Sequence, residues 1–411
     1  MQQALNTTIQ VLGQPLKDKK IALGVCGSVA IYKSLELIRI LQKLGASVRV
    51  VMSKGAQDFI QPLLFEAISH YRVLTQNTQS WGETPHNHIT LAAWADLFLI
   101  APCSANTLNK IAYGIADNVL LESFLAFDKL KCIAPAANTK MLENKATMES
   151  LEILQQREIT LIAPQCKELA CQTIGNGALA EPLEIAYQTI RAFYKNSFWE
   201  EACVCVSGGG SKESIDAVRY LSNASSGKMG ACIALAGYFL GAKVEFISSQ
   251  FPFILPLEIQ TQKVQSTQDY LQAIKQWQKL EPKMQSFLFM SAAISDYIPK
   301  NKVKEKLKKQ EIGAKWDLQL IENQDILATL SKTQKTIGFK LESKDGIQNA
   351  KIALTKKGLD AICLNTITQN HNPLDANNNQ LLWISDAFVK DLGFCDKLSL
   401  AFKILEQAQH L

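Results

Sequence analysis

The feature that most constrains the fold is a strand, a glycine-bearing turn, a helix and a second strand, which follow one another near the start of the chain. Residues 20–28 form an apolar run that ends in a turn, and residues 31–44 carry apolar side chains at helical spacing. Gly45 closes this predicted helix, and residues 47–52 form the next strand. Because parallel strands need a crossover between them, the pattern predicts an α/β fold with a parallel sheet.

The same order of elements begins again near the middle of the chain. An apolar strand is predicted over 202–207 and runs into the glycine turn 208–210. A helix over 228–240 and a strand over 243–248 follow. The second half therefore predicts a second α/β unit with its own parallel strands.

Length and a polar separator set the domain organisation. The chain has 411 residues, more than one ordinary domain, and residues 194–201 between the two patterns are polar. We predict two Rossmann-like domains with mainly parallel sheets, at 1–195 and 196–411. A composition of 47% hydrophobic and 20% charged residues is typical of globular proteins and excludes a fibrous or disordered chain.

Charge and cysteine usage narrow the possible functions. The net charge of +5 is too small to indicate nucleic-acid binding. The first ten residues lack the basic start and apolar core of a signal peptide, and the longest near-apolar run, 231–242, is shorter than the roughly 18 residues that span a bilayer. Ten cysteines without a CxxC pair or His/Cys cluster offer no zinc site, so no metal ligand is assigned. We expect a soluble, cytoplasmic protein.

The glycine turns match neither a dinucleotide fingerprint nor a P-loop. Cys26 and Val29 occupy two glycine positions of the GxGxxG pattern, and Ser222 replaces the first glycine of the Walker pattern. The hydroxyls of Ser28 and Ser53, each after a predicted strand, suit a single phosphate at a helix start. Flavin mononucleotide (FMN) carries such a phosphate, and a turn without a ligand is the alternative.

Four ordered motifs in the N-terminal half resemble those of the flavin-containing cysteine decarboxylases. They are the segment that begins at His88, PCSANT at 102–107, PAANTKM at 135–141, and the cysteine loop with Cys171, Gly175, Gly177 and Glu181. The resemblance implies a flavodoxin-like domain that decarboxylates 4'-phosphopantothenoylcysteine. It also implies an FMN site formed by Gly27, Ser28, Ser53, Ser104, Ala105 and Asn106.

The same resemblance implies roles for three catalytic residues. FMN would oxidise the substrate CH2–SH to a thioaldehyde, which can take up the electrons that remain when CO2 leaves. His88 would be the base or proton relay, Asn138 would bind the substrate carboxylate, and Cys171 would donate the final proton. By themselves, the histidine is more typical of a structural residue and the cysteine of an inert thiol, and the asparagine is equally typical of a helix cap or turn. Departures from the family pattern, which predict a changed substrate pocket, are Ala137, Leu142, Gln172, Thr173 and Ala178.

Motifs in the C-terminal half resemble those of phosphopantothenate–cysteine ligase. They lie at 216–230, 292–297 and 306–309. The resemblance implies ligation of 4'-phosphopantothenate to cysteine, driven by CTP through an acyl-cytidylate, with Mg2+ on the triphosphate. Asn223 would stabilise the intermediate, and Lys306 would be an essential lysine on a flap. The implied nucleotide- and substrate-binding residues are Gly209, Gly210, Arg219, Ser225, Ser226, Gly227, Ala292, Asp296, Lys308, Lys309, Asn323, Asp325, Phe339, Lys356 and Lys357.

Together the two halves resemble the bifunctional coenzyme A biosynthesis proteins over about residues 18–405. This implies a homo-oligomer with a decarboxylase built from trimers and a dimeric ligase. Departures in the second half are Ala217, Ile298 and Gln324. Two alternatives remain: an enzyme in which only the ligase is active, and a regulatory FMN-binding flavoprotein with an inactive decarboxylase. Taken by itself, the lysine run at 306–309 is more typical of a solvated surface segment.

Overall fold

The computed structural model describes residues 2–168, 174–280, 285–342, 344–366 and 377–411. They divide into an N-terminal unit, Leu12–Tyr194, and a C-terminal unit, Lys195–Leu411, which also includes residues 2–11. The sequence prediction had placed those first residues in the N-terminal domain. The structure differs because Thr8 is fully buried in the C-terminal unit, where its hydroxyl oxygen accepts a hydrogen bond of 3.1 Å from the backbone N–H of Ile254.

The N-terminal unit contains a five-stranded parallel sheet and the helices that follow its strands. After the first helix α1 (Gln2–Leu12), its elements are β1 (Lys20–Val25), α2 (Tyr32–Lys43), β2 (Ser47–Met52), α3 (Lys54–Gln57), α4 (Pro62–Ser69), α5 (His88–Trp94), β3 (Leu97–Cys103), α6 (Ala105–Ala112), α7 (Val119–Leu125), β4 (Leu130–Pro135), α8 (Thr139–Leu142), α9 (Lys145–Gln156), β5 (Thr160–Leu161), β6 (Gln165–Glu168), β7 (Ile174–Ala178) and α10 (Pro182–Tyr194). The order β2-β1-β3-β4-β5 is that of a flavodoxin-like sheet, as predicted.

The apolar runs that predicted these strands are buried because helices cover a parallel sheet on both faces. Every residue of β3 is buried. From this strand, Phe98 makes edge-on ring contacts with Phe124 and Phe127, at centroid distances of 5.2 and 5.8 Å. This core holds the carboxyl ends of β1 and β3 side by side, where a doubly wound sheet binds its ligand.

The C-terminal unit contains an eight-stranded mixed sheet. Its elements besides α1 are α11 (Ser197–Glu200), β8 (Ala202–Gly208), β9 (Lys212–Ser214), β10 (Tyr220–Ser222), α12 (Lys228–Leu240), β11 (Lys243–Ser248), β12 (Gln260–Lys263), α13 (Thr267–Leu280), β13 (Gln285–Met290), β14 (Tyr297–Pro299), α14 (Lys309–Ile312), β15 (Leu320–Glu322), α15 (Ile326–Thr329), β16 (Lys335–Glu342), α16 (Gly346–Lys357), β17 (Ala361–Thr366), β18 (Asn378–Ile384), β19 (Val389–Asp396) and α17 (Lys397–Ala408).

Strand order in this sheet identifies where a ligand would bind. The six parallel strands run β12-β11-β8-β13-β16-β17, which is the 3-2-1-4-5-6 order of a Rossmann sheet, and β18 and β19 add an antiparallel edge. The order reverses between β8 and β13. The loops after these two strands contact each other, since Ala293 N–H donates to Gly209 O at 2.8 Å and Ser211 N–H donates to Ala293 O at 3.2 Å. The prediction of mainly parallel sheets is confirmed.

The described ranges contain no helix that is both long and apolar enough to cross a membrane. The same ranges contain no cluster of three or more His, Cys, Asp or Glu side chains that could hold a metal ion.

Candidate active sites

His88 is the first residue of α5, and the local sequence holds it there. The Asn87 side chain caps the helix by accepting hydrogen bonds from the backbone N–H of Ile89 and Thr90, and the Asn87 backbone N–H donates to the Thr90 hydroxyl oxygen, which completes a capping box. Such a cap typically stabilises a helix by about 1 kcal/mol. The backbone of His88 is therefore fixed at the helix start.

The imidazole ring of His88 is held as well. Its Nδ1 lies 3.1 Å from Gln79 Oε1 and 3.5 Å from Glu122 Oε2, and its ring meets the Trp81 ring edge-on at 5.6 Å. A carboxylate offers only acceptors, so Nδ1 carries a proton and donates. In this tautomer Nε2 carries no proton, so it is the ring atom with a free lone pair.

Asn138 caps α8, and the β6–β7 hairpin packs against the same loop. Asn138 Oδ1 accepts from the backbone N–H of Lys140 at 3.0 Å. Ala137 N–H donates to Gly177 O at 3.1 Å, and a Cβ on Gly177 would lie 2.1 Å from Ala137 O, so only glycine permits this approach. The cap uses the acceptor of Asn138, whereas binding a carboxylate would use its amide donors. Cys171 lies outside the described residues.

The predicted FMN residues lie on three adjacent strand ends. Ser53 N–H donates to Val25 O at 3.1 Å, and Cys26 N–H donates to Pro102 O at 3.3 Å, which links the loops after β1, β2 and β3. A Cβ on Gly27 would lie 2.9 Å from the backbone of Gly55, so the loop after β1 is in close contact with α3, which follows β2. Ala105 is buried beneath them and Asn106 is exposed.

The serine hydroxyls of these loops fit a phosphate. Ser28, Ser53 and Ser104 each accept a backbone N–H bond of 3.3 Å at a helix start. A hydroxyl that accepts such a bond keeps its own proton to donate, so capping is compatible with phosphate binding. Ser104 donates its proton to Thr107 Oγ1 at 3.1 Å. The donor set of Ser28 and Ser53 therefore fits the phosphate of a flavin mononucleotide better than Ser104 does.

A cleft of about 840 Å³ lies at the strand-order reversal of the C-terminal unit. Its wall brings together predicted residues from several separate segments. These are Ser225, Ser226, Gly227, Ala292, Asp296, Asn323, Asp325, Phe339 and Lys357. Gly227 is the N-cap residue of α12, and no side chain caps this helix end. Because Gly227 and Lys228 line the cleft, the positive end of the helix dipole faces it. The arrangement favours an anionic ligand such as a phosphate.

Other predicted residues lie beside the cleft rather than on its wall. Gly209 and Gly210 pair with Ala293, a wall residue, and Asn223 Nδ2 donates to the carbonyl of Ile294, another wall residue, at 3.1 Å. The remaining predicted residues, which do not line the cleft within the described ranges, are Arg219, Lys306, Lys308, Lys309 and Lys356. The three lysines of the 306–309 run are exposed.

Two predicted nucleotide residues are part of the cleft's own framework. The Asn323 amide donates to Thr267 Oγ1 and to Ser295 O, both at 2.7 Å. Asp325 caps α15 and forms an ion pair with Lys357 at 3.0 Å. These side chains hold the wall in place, so a ligand meets groups whose positions are already fixed.

Comparison with known proteins assigns both units. Residues 10–194 match a family model described as Flavoprotein, and residues 199–411 match one described as DNA/pantothenate metabolism flavoprotein C-terminal domain. The chain is 34% identical over 405 residues to the coenzyme A biosynthesis bifunctional protein CoaBC of Vibrio parahaemolyticus, covering 97% of this chain and 100% of that protein. The chain belongs to the CoaBC family.

The chain is also similar to another CoaBC protein and, over part of its length, to a solved structure. CoaBC of Bacillus subtilis is 33% identical over 399 residues, covering 95% of this chain and 97% of that protein. A solved PPC decarboxylase mutant complexed with pantothenoylaminoethenethiol is 38% identical and covers 43% of this chain and 99% of that chain, with a TM-score of 0.39. The predicted membership of the bifunctional coenzyme A biosynthesis family is confirmed.

Three residues near the CoaBC sites did not emerge from the sequence. Glu122, on α7, lies beside the His88 ring although the two residues are far apart in the sequence. No local sequence pattern indicates this contact. Ser295 lines the cleft with a buried hydroxyl that has no hydrogen-bond partner among the described residues. Asp216 is buried beside the lysine run. For Ser295 and Asp216 the available signal was their position inside the ligase motifs.

Proposed function

We propose that this CoaBC-family chain catalyses two successive reactions on one metabolite. The ligase joins 4'-phosphopantothenate to cysteine: the carboxylate attacks CTP, pyrophosphate leaves, and the cysteine amine then displaces CMP from the acyl-cytidylate. The decarboxylase converts the product, 4'-phosphopantothenoylcysteine, to 4'-phosphopantetheine and CO2. The observation that carries the proposal is the C-terminal cleft, where ligase motif residues from separate segments line one wall at the Rossmann reversal point.

Positive charge and oriented N–H groups would carry the ligase chemistry. Residues Ser225 to Gly227, which lead into α12, would bind phosphate. Asn223 would stabilise the acyl-cytidylate from the margin of the cleft. Lys306 would neutralise charge that develops as pyrophosphate leaves. Mg2+ would be held by phosphate oxygens and water.

In the decarboxylase, Gly27, Ser28 and Ser53 would hold the FMN phosphate, with Ser104, Ala105 and Asn106 on the adjoining strand end. When bound, FMN supplies reversible two-electron chemistry at the substrate thiol. His88 would move a proton through Nε2, because Gln79 and Glu122 occupy Nδ1. Asn138 would orient the substrate carboxylate. Cys171 is proposed as the final proton donor on the basis of the sequence motif.

The assembly and location follow from the same family relationship. We propose a cytoplasmic homo-oligomer in which the flavin domain forms trimers and the ligase domain forms dimers. Sedimentation of the full chain would test this, since a fully active monomer would contradict it.

The test is to assay both half-reactions on one purified preparation. We expect a yellow protein that releases CO2 from 4'-phosphopantothenoylcysteine and releases pyrophosphate from CTP only when 4'-phosphopantothenate is present. Replacing CTP with ATP gives the nucleotide preference, for which CTP is expected to be the better substrate. Bound flavin without CO2 release would instead support the ligase-only enzyme, and bound flavin with neither activity would support the regulatory flavoprotein.

A further inference from the structure

Asp216 is a buried carboxylate at the turn between β9 and β10. It is 4% exposed, and its Oδ1 accepts the backbone N–H of Val218 at 2.8 Å and of Arg219 at 2.7 Å. Its Oδ2 forms an ion pair with Arg219 Nη1 at 2.6 Å. A buried carboxylate is stable only when its oxygens accept hydrogen bonds. Three of its donors come from Val218 and Arg219, and a fourth comes from a distant segment of the chain.

That fourth donor comes from the lysine run. The backbone N–H of Leu307 donates to Asp216 Oδ2 at 3.3 Å, and Arg219 Nη1 donates to the Leu307 carbonyl at 3.3 Å. Both peptide groups that flank Leu307 are therefore tied to the Asp216–Arg219 pair. Leu307 lies between Lys306 and Lys308, so the pair holds the backbone from which both lysine side chains extend.

The rest of the segment is fastened to the same part of β9. Lys302 Nζ lies 3.6 Å from Glu213 Oε2, and Val303 N–H donates to Ile215 O at 3.1 Å. Glu213 is itself buried and accepts bonds from the backbone and hydroxyl of Thr267. The segment from Lys302 to Leu307 is therefore bonded along its length to β9 and to the turn that follows β9. Asp216, in that turn, bonds to the end of the segment that lies in the lysine run.

Arg219 is positioned for this task by two further contacts. Its guanidinium lies 5.4 Å from the centre of the Trp316 ring, and its own carbonyl accepts the N–H of Ile215 at 2.9 Å. The sequence predicted that Arg219 binds substrate. That role stays a prediction; in this structure Arg219 Nη1 pairs with Asp216 and donates to the Leu307 carbonyl.

We propose that Asp216 is a positioning residue of the ligase, which acts through the Leu307 backbone to fix Lys306 and Lys308 for the nucleotide. This inference rests on the proposed function of Lys306. An exposed lysine on a free segment would lose backbone and side-chain entropy each time it engaged the triphosphate. Anchoring the adjacent peptide groups removes the backbone share of that loss before the nucleotide arrives.

The protonation of Asp216 agrees with this role. Burial alone would raise the pKa of its carboxyl, but hydrogen bonds from the N–H groups of Val218, Arg219 and Leu307, with the charge of Arg219, hold the pKa below its ordinary value. The group is therefore a carboxylate throughout the neutral range, and the anchor is present wherever the ligase works.

The decisive variant is Asp216→Asn. Its amide oxygen still accepts from Val218 and Arg219, which preserves the turn, but the amide nitrogen cannot accept from Leu307 or Arg219. Asp386→Asn, at an exposed position in the β18–β19 turn, is the matched control. We expect Asp216→Asn to lower kcat/KM for CTP on the order of 10- to 100-fold. KM for CTP rises while KM for cysteine and the decarboxylase rate stay at the control value.

A double-variant comparison separates positioning from other roles. In a background that carries both Lys306→Gln and Lys308→Gln, Asp216→Asn should cause no further loss of CTP affinity in an equilibrium binding measurement, because all three changes act on the same two lysines. An additional loss of about 10-fold or more would show that Asp216 acts independently of the two lysines and would overturn the proposal.

Failure of the proposal and failure of the proposed function give different results. Normal ligation by Lys306→Gln would refute the role of Lys306. An inactive Lys306→Gln alongside an Asp216→Asn that matches the control would refute positioning alone. If Asp216→Asn does not fold, amide hydrogen exchange of the unsubstituted chain decides: we expect the Leu307 amide to exchange at least about 10-fold more slowly than its exposed neighbours. Equal exchange would overturn the proposal.

Discussion

His88 and Lys306, the two residues proposed to carry the chemistry of the two units, are held in opposite ways. The His88 ring contacts Gln79, Glu122 and Trp81 directly, on a helix start closed by a capping box. The Lys306 side chain is exposed, and the structure locates it through the backbone of the neighbouring residue. One unit fixes a side chain, and the other fixes the peptide from which a side chain extends.

The chemistry of the two groups accounts for this difference. An imidazole has two unlike nitrogens, so it transfers a proton productively only when its tautomer and ring orientation are set. An ammonium presents three equivalent donors on a flexible stem and needs only to be within reach of an anion. We therefore expect the decarboxylase to be sensitive to changes around the His88 ring, and the ligase to changes in the attachment of its lysine segment.

The largest effect is expected where the decarboxylase site depends on a close backbone contact. Gly177→Ala should lower the decarboxylase kcat on the order of 100-fold, because its Cβ would lie 2.1 Å from Ala137 O and would push the β6–β7 hairpin away from Asn138. Gly82→Ala, at a glycine with nothing within 4 Å of an added Cβ, is the control. CO2 release measures both, and a normal rate for Gly177→Ala would show that the hairpin does not close this site.

A smaller effect is expected for the partner of His88. Glu122→Leu should lower decarboxylation about 10-fold, since the ring would lose an acceptor that sets its tautomer. Glu122→Gln, which keeps an acceptor oxygen, should retain more of the rate, and both variants should bind flavin normally. If Glu122→Leu, Glu122→Gln and the unsubstituted chain decarboxylate at equal rates, the His88 ring does not depend on this carboxylate. The proposed difference between a held ring at His88 and a held backbone at Lys306 would then be contradicted.

The smallest effect is expected for the ion pairs of Glu181. This carboxylate bonds to Lys33 at 3.1 Å and to Lys167, and it is 44% exposed, so Lys33→Met should cost less than about 1 kcal/mol of unfolding free energy. Denaturant unfolding, compared with Lys145→Met at an exposed position, gives the value. A cost of several kcal/mol would show that the mostly buried Lys33 side chain has a structural role beyond its ion pair.

The pH dependence of this pair has a definite sign. Burial would raise the pKa of Glu181, but hydrogen bonds from Lys167 and Lys33 hold it below the ordinary value. The stabilisation is therefore complete above the ordinary carboxyl pKa of about 4.3 and is lost as the pH falls through the lower folded value. The difference between Lys33→Met and the unsubstituted chain should shrink in that acid range and stay constant at neutral pH.

The sequence could predict elements whose cause is local. The apolar runs at 47–52 and 243–248 became β2 and β11 with the predicted bounds, because period and burial act within a few residues. The placement of residues 2–11 in the C-terminal unit could not be predicted, since the buried Thr8 contact depends on Ile254, far along the chain. The buried apolar residues Ile9 and Val11 predict that this helix packs on a core, but they do not say which of the two cores it packs on.

The candidate sites divide in the same way. Motif residues around 225–227 and 292–296 were predicted and do line one cleft, because the Rossmann reversal brings their loops together. The contacts of Glu122 with His88 and of Asp216 with Leu307 were not predicted. Each joins side chains or backbone across separate elements, and such pairings depend on tertiary packing that no local spacing records.

The central claim is that one chain holds two separate active sites for consecutive steps, and mixing two inactive variants tests it most directly. His88→Asn should retain ligation and accumulate 4'-phosphopantothenoylcysteine, whereas Lys306→Gln should retain decarboxylation of that compound. Neither variant alone should form 4'-phosphopantetheine from 4'-phosphopantothenate, cysteine and CTP, and their mixture should form it. A mixture that remains inactive, or a single variant that loses both activities, would contradict the account.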